Sequence, residues 1–207
     1  IIFTHRNLSV DDIGVLHISE DIQKERLNEI KERFSLPELM FLSTCNRVEF
    51  QLCSHEIVNK SFLFDFFQAL YPTLSEEQLT NLLSSSEVFS GVDAVKHLLR
   101  VASSIDSMVV GEREIITQVR NAYELSKANG LTGDFIRLLV KHTIETAKQV
   151  YTETNIAKKP VSVVSLAYHR LKQLNIPLDA RILIIGAGVT NTNMSRFLKK
   201  HGFTNFS

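Results

Sequence analysis

Two short apolar runs meet across a polar kink. They are "ELMFLS" at 38–43 and "VEFQLCS" at 48–54, with Thr44, Cys45, Asn46 and Arg47 between them. Successive side chains of a strand point to opposite faces. In the second run Val48, Phe50 and Leu52 therefore share one face, and Glu49, Gln51 and Cys53 share the other. The first run is apolar throughout, as a strand buried on both faces is. A chain that must reverse within so few residues folds there as strand, tight turn, strand. The turn then holds a cysteine, an arginine and small hydroxyls in its tightest part.

The rest of the chain is mostly helical in period. "IIFTH" at the start reads as one more strand. "SEDIQKERLNEIKERF" reads as a helix, with Ser19 as its N-cap and Ile22, Leu27, Ile30 and Phe34 near one face. "VNKSFLFDFFQAL" is an apolar helix stopped by Tyr71 and Pro72, and "SEEQLTNLL" opens with a capping box. In "DAVKHLLRVASSID" a stripe of Val95, Leu98, Leu99, Ala102 and Ile105 leaves His97, Arg100 and Ser104 off the core side. "EREIITQVRNAYELSKANG" is a further helix, with Gly130 as its C′ stop and with Glu114 and Gln118 on one face. A long amphipathic helix follows in "DFIRLLVKHTIETAKQVYTETNI". Pro160 breaks that pattern, and "VSVVSLAYHRLKQL" resumes as a helix. Finally "ARILIIGAGVTNTNMSRFLKKHG" reads as strand, glycine turn and helix, the opening of a dinucleotide-binding βα unit. The fold expected is an α+β domain with a helical linker region over 1–157, followed over 158–207 by a linker helix and the start of a Rossmann-like α/β domain.

Bulk properties exclude several classes. The 23 basic residues equal the 23 acidic ones, so the surface is not basic overall, although a local basic patch is allowed. No apolar run approaches the ~18 residues of a membrane span, and the start lacks the layout of a signal peptide. Cys45 and Cys53 fit neither a zinc spacing nor a disulfide framework, which favours a reducing cytoplasm. The absence of an initial Met, and an end soon after a motif opens, read as a piece of a longer protein.

Cys53, inside an alternating strand, reads as a small buried hydrophobe. Cys45 has two readings, the same one and a nucleophile. A cation beside a thiol favours the thiolate, and turn donors can stabilise an oxyanion, but spacing identifies no base. Gly186 and Gly188 in "IIGAGVTN" also have two readings. One is a phosphate-binding loop, in which Gly186 allows the tight turn and Gly188 lets the backbone approach a pyrophosphate at a helix N-terminus. The other is a plain βα turn. Asn191 stands where the third glycine of that pattern belongs.

Taken together, "STCNRVEF", "HLLRVASSIDSMVVGEREIITQVRNAY", "SVVSLAYHRL" and "ILIIGAGVTN", with Thr4 and His5 at the start, resemble the glutamyl-tRNA reductase family. The resemblance runs through nearly the whole chain. It implies a catalytic N-terminal domain, then the opening of an NADPH-binding domain, with homodimerisation through a segment outside this chain. It implies that Cys45 attacks the ester joining glutamate to its tRNA and that NADPH reduces the resulting thioester to glutamate-1-semialdehyde, the entry to tetrapyrroles. His97 falls on the activity-linked histidine. Thr44, Asn46, Arg47, Ser107, Glu112, Arg113, Glu114 and Gln118 fall on substrate-binding positions. Gly186, Ala187, Gly188, Val189, Thr190 and Asn191 fall on the nucleotide loop. No metal is implied, nor a membrane.

Three departures stand out. "GEREI" puts Arg113 and Glu114 where the family has Pro and Gln, Ser104 stands where glycine is common, and "GAGVTN" lacks an acidic residue often seen after the second glycine. Two other functions compete. One is a non-catalytic tRNA-binding or regulatory module with a degenerate nucleotide loop. The other is a different NAD(P)-dependent, thioester-forming dehydrogenase, whose cysteine would normally follow the nucleotide domain.

Overall fold

The computed structural model describes residues 1–156 and 163–207. The Pro160 break and the 157/158 domain boundary lie outside the described residues.

The hairpin forms as the two runs require. Strand β1 (Ile2–Thr4), β2 (Glu38–Thr44) and β3 (Arg47–Cys53) make an antiparallel sheet in the order β1-β3-β2. Thr44 pairs with Arg47 in register, which leaves a loop of Cys45 and Asn46 alone. Along the chain lie α1 (Val10–Val15), α2 (Glu20–Arg33), α3 (Lys60–Leu70), α4 (Glu76–Ser84), α5 (Gly91–Ala102), α6 (Glu114–Ala128), α7 (Asp134–Glu153), α8 (Val163–Gln173) and α9 (Val189–Lys200).

The sheet is covered on both faces, because side chains of β2 alternate between two cores. Leu39 and Phe41 join Phe3, Val48 and Phe50 against Phe66, Phe67 and Leu70 of α3. Met40 and Leu42 join Leu98, Val101, Val119, Tyr123, Ile136 and Val140 from α5, α6 and α7. The first core is aromatic, with Phe50 edge-on to Phe66 and Phe67 at 5.7 and 5.3 Å between centroids. Fully burying one such side chain contributes roughly 1.5–3 kcal/mol. The helices of the second core are tied to β2 by Glu38, whose carboxylate accepts from the Phe135 and Ile136 backbone N–H groups at 2.9 and 2.8 Å. It thus satisfies two orphan donors in the first turn of α7.

Local signals explain most helix ends. Ser75 and Gln78 form the expected capping box of α4, Tyr71 ends α3, and Gly130 follows α6 at φ +75°. Three expectations are corrected. Ile22 is exposed and Gln23 is buried instead, donating to the Ile18 carbonyl at 2.7 Å. Helix α5 stops at Ala102, so Ile105 is exposed, while Ser104 is buried. The run at 181–185 is no strand. It makes one parallel bridge, Ile182 to Phe206, and three backbone bonds to 205–207 at 2.8–3.1 Å. Leu183 and Ile185 are 68% and 83% exposed. A parallel pairing is stable when covered on both faces, and here the apolar side chains meet solvent. Short helix α1, which begins with Ser9 accepting from the Asp12 N–H, had no sequence expectation.

Candidate active site

The two-residue hairpin loop pushes Cys45 into solvent. Thr44, Cys45, Asn46 and Arg47 form one wall of a cavity of about 820 Å³, within the range of small-ligand sites. A second wall comes from the loop after α5 and the start of α6, through Ser107, Met108, Val109, Glu112, Glu114 and Gln118. Val163 and Val164 of α8 and one face of α9 complete it. Glu114 and Gln118 share it because residues four apart lie on one helical face.

The loop after α5 has a strained, specified backbone. Ser104 sits at φ +58°, in the left-handed region that glycine adopts freely. Its hydroxyl donates to the Val109 carbonyl at 3.2 Å and accepts from the Gly111 N–H at 3.0 Å. Those two bonds offset the strain and explain how serine fills a glycine position. Gly111 is at φ +88°, and a Cβ there would strike the Ile156 carbonyl.

Arg47 is buried, and its guanidinium is already engaged. Nη1 donates to Glu49 Oε1 at 2.5 Å, and Nη2 donates to the Asp106 backbone carbonyl and, at 3.4 Å, to its carboxylate. Asp106 also accepts from Arg6 Nη2 at 2.7 Å. On the far side, His97 Nε2 donates to Glu49 Oε1 at 3.0 Å, and its ring stacks on Phe89. The outcome is a line of paired charges, Arg6, Asp106, Arg47, Glu49 and His97, threaded under the cavity. Burial pushes the Glu49 carboxyl up, but the hydrogen bond and charge of His97, joined by Arg47, outweigh it and hold it below the ordinary value. Burial acts the same way on Asp106, and Arg6 and Arg47 outweigh it. At the second wall of the cavity the balance is reversed. Burial, then the charge of Glu114, pushes the Glu112 carboxyl above its ordinary value.

Of the sequence-derived residues, Thr44, Cys45, Asn46, Arg47, Ser107, Glu112, Glu114 and Gln118 line one cavity. Arg113 does not. Its guanidinium lies over the Tyr151 ring at 5.7 Å. His97 does not line it either; it stands behind Arg47, bonded to Glu49. It is also half-buried rather than solvated. Glu49 and Asp106 had no sequence signal beyond their charge. A lone acidic residue in an apolar strand was the available clue.

The glycine loop lies elsewhere. Gly186, Ala187 and Asn191 line a separate groove of about 270 Å³, whereas Thr190 faces the Cys45 cavity. Gly186 has φ +98°, and Gly188 is the N-cap of α9. Asn191 Nδ2 donates to the Ile185 and Gly186 carbonyls at 2.7 and 3.2 Å. The residue in the third-glycine position therefore staples the loop from within.

An α+β domain that presents an exposed thiol on a hairpin lining a cavity of mixed polar and apolar character is the class this geometry defines. A family model described as glutamyl-tRNAGlu reductase, N-terminal domain, matches residues 1–154, and the chain belongs to that family. It is 37% identical to the glutamyl-tRNA reductase of Syntrophus aciditrophicus over 180 residues, 85% of this chain and 42% of the relative. It is 34% identical to that of Campylobacter curvus over 208 residues, 99% and 46%. The solved glutamyl-tRNA reductase from Methanopyrus kandleri matches with a TM-score of 0.65 at 26% identity, over 99% of this chain and 47% of that one. The chain thus spans about half the length of these relatives. No helix among the described residues is long and apolar enough to cross a membrane.

Proposed function

We propose that this chain is the thiol-bearing part of an NADPH-dependent reductase that converts glutamyl-tRNA to glutamate-1-semialdehyde. The observation that carries the reading is the exposed Cys45 thiol sharing one cavity with Thr44, Asn46, Ser107, Glu112, Glu114 and Gln118. The Cys45 sulfur forms a bond to the ester carbonyl carbon, and the bond to the ribose oxygen breaks. The electron pair leaves on that oxygen, which takes up the proton that the Cys45 thiol gives up. A glutamyl thioester and free tRNA result. A thiolate leaves more readily than an alkoxide, so the thioester suits the reduction that follows. Glu112 and Glu114 offer carboxylates to the α-ammonium of the glutamyl group. Arg47, held in place by Glu49 and Asp106, forms a fixed, charge-compensated part of the cavity wall. His97 acts as a positioning residue through Glu49.

The glycine loop fits a dinucleotide phosphate. Gly186 supplies the left-handed turn, Gly188 opens α9 with its free N–H groups, and Asn191 holds the loop shape. The Ile182–Phe206 bridge across α9 has the order of a Rossmann-like βαβ opening. NADPH held by these residues would supply a hydride to the thioester carbonyl carbon, and the C–S bond would break to return the Cys45 thiolate and leave the aldehyde.

The test is acid-quench trapping of a glutamyl adduct with mapping of the modified residue. A stoichiometric adduct on Cys45 supports the reading. Tight tRNA binding without any adduct would favour the non-catalytic module instead.

A further inference from the structure

Helix α9 is a wall shared by two cavities. Thr190, Asn193, Phe197 and Lys200, spaced i, i+3, i+7 and i+10, face the Cys45 cavity together with Arg196. Asn191, Thr192, Ser195 and Lys199 face the glycine-loop groove instead. Arg196 and Lys200 are exposed, stand four apart, and have no ion-pair or hydrogen-bond partner among the described residues. Elsewhere around this cavity charge is compensated or negative: Arg47 is paired, and Glu112 and Glu114 are acidic. The cavity is therefore polarised, with carboxylates toward α6 and two free cations on α9.

We propose that Arg196 and Lys200 form a phosphodiester seat for the 3′-terminal nucleotides of the charged tRNA. The seat holds the RNA backbone so that the ester lies at Cys45. This rests on the function proposed above. A charged tRNA is bipolar at its reacting end, with an ammonium on the glutamyl group and phosphates one nucleotide away, and the two walls match that polarity. The cofactor is the other source of phosphate, but its place is the opposite end of the helix. The twelve residues of α9 span roughly 18 Å, with the glycine loop at the N-terminal end and Lys200 at the C-terminal end.

The experiment uses the full-length protein and compares wild type with Arg196→Gln, Lys200→Gln and the double variant. Affinity for glutamyl-tRNA is titrated against salt, NADPH affinity is measured separately, and acylation of Cys45 is followed with glutamyl-tRNA and with glutamyl-adenosine, an ester of the same ribose without phosphodiesters. The double variant is expected to lose about tenfold or more in tRNA affinity near 0.1 M salt, and its slope of log K against log salt is expected to fall by about 1–2. Acylation by glutamyl-adenosine and affinity for NADPH should match wild type. An unchanged tRNA affinity and salt slope overturns the seat, and so does a loss confined to NADPH. Absence of any Cys45 adduct in wild type, with either ester, would overturn the proposed reaction while the salt slope still decides the seat.

Discussion

Residues 38–44 and 181–185 are both apolar runs that lead into a turn carrying functional chemistry, and they end differently. The first becomes β2, with a full antiparallel partner in β3 and a core on each face. The second makes one bridge and leaves Leu183 and Ile185 in solvent. An apolar run becomes a strand only where neighbours complete its backbone bonds and cover its side chains. The difference extends to the turns. Cys45 is presented by a hairpin rooted in two cores, whereas the glycine loop is held by its own Asn191 bonds and the start of α9.

That contrast can be broken at several points. Cys45→Ser should lower acylation by glutamyl-tRNA at least about a thousandfold, roughly 4 kcal/mol in barrier, with no change in thermal unfolding, because the side chain is exposed. A variant with much of its acylation left would remove Cys45 as the nucleophile. Cys53→Ser, at a half-buried strand position, should keep acylation near wild type.

Phe41→Ala should destabilise by about 3–5 kcal/mol in urea unfolding, as expected for an aromatic side chain removed from a packed core. A value under about 1 kcal/mol would mean that the sheet is not the foundation of the hairpin.

Glu49→Gln leaves Arg47 and His97 short of a buried partner and should destabilise by about 3 kcal/mol. It should also change the pH profile. The Glu49 carboxyl is held below its unfolded value, so its contribution is present above that unfolded value, near 4.3, and is lost as pH falls through the lower folded value. Wild-type stability should therefore drop on acidification below about pH 4.5, and the Gln variant should show a shallower drop, with Asp106 supplying the remainder. Parallel profiles for the two proteins would rule out the charged pairing.

Ile185→Ala is the smallest effect. With the side chain 83% exposed, stability should change by less than about 0.5 kcal/mol. A loss comparable to that of Phe41→Ala would show that the 181–185 run is covered in solution.

Much of this molecule was legible from local chemistry. A polar break between two apolar runs allowed only a hairpin, while the choice between a buried and an exposed Cys45 was made by the structure. The Ser75–Gln78 cap, the Gly130 stop and the shared face of Glu114 and Gln118 rest on contacts within a few residues. The tertiary structure decided what lies on the second face of the sheet. Alternation puts Glu49 opposite Val48 and Phe50, and an alternating strand is ordinarily wet on its polar side. Helices α5, α6 and α7 cover that side, so Arg47, Glu49 and Asp106 are buried and must pair with one another and with His97. Arg47 and Glu49 are two residues apart, but His97 lies 48 residues from Glu49 and Asp106 lies 59 from Arg47, beyond the reach of any local pattern. The same holds for Arg196 and Lys200, which the sequence did not single out and which the fold sets around the same cavity as Cys45. Periodicity tells which side of an element is apolar. Only packing tells what comes to rest against the other side, and a buried charge takes its role from that neighbour.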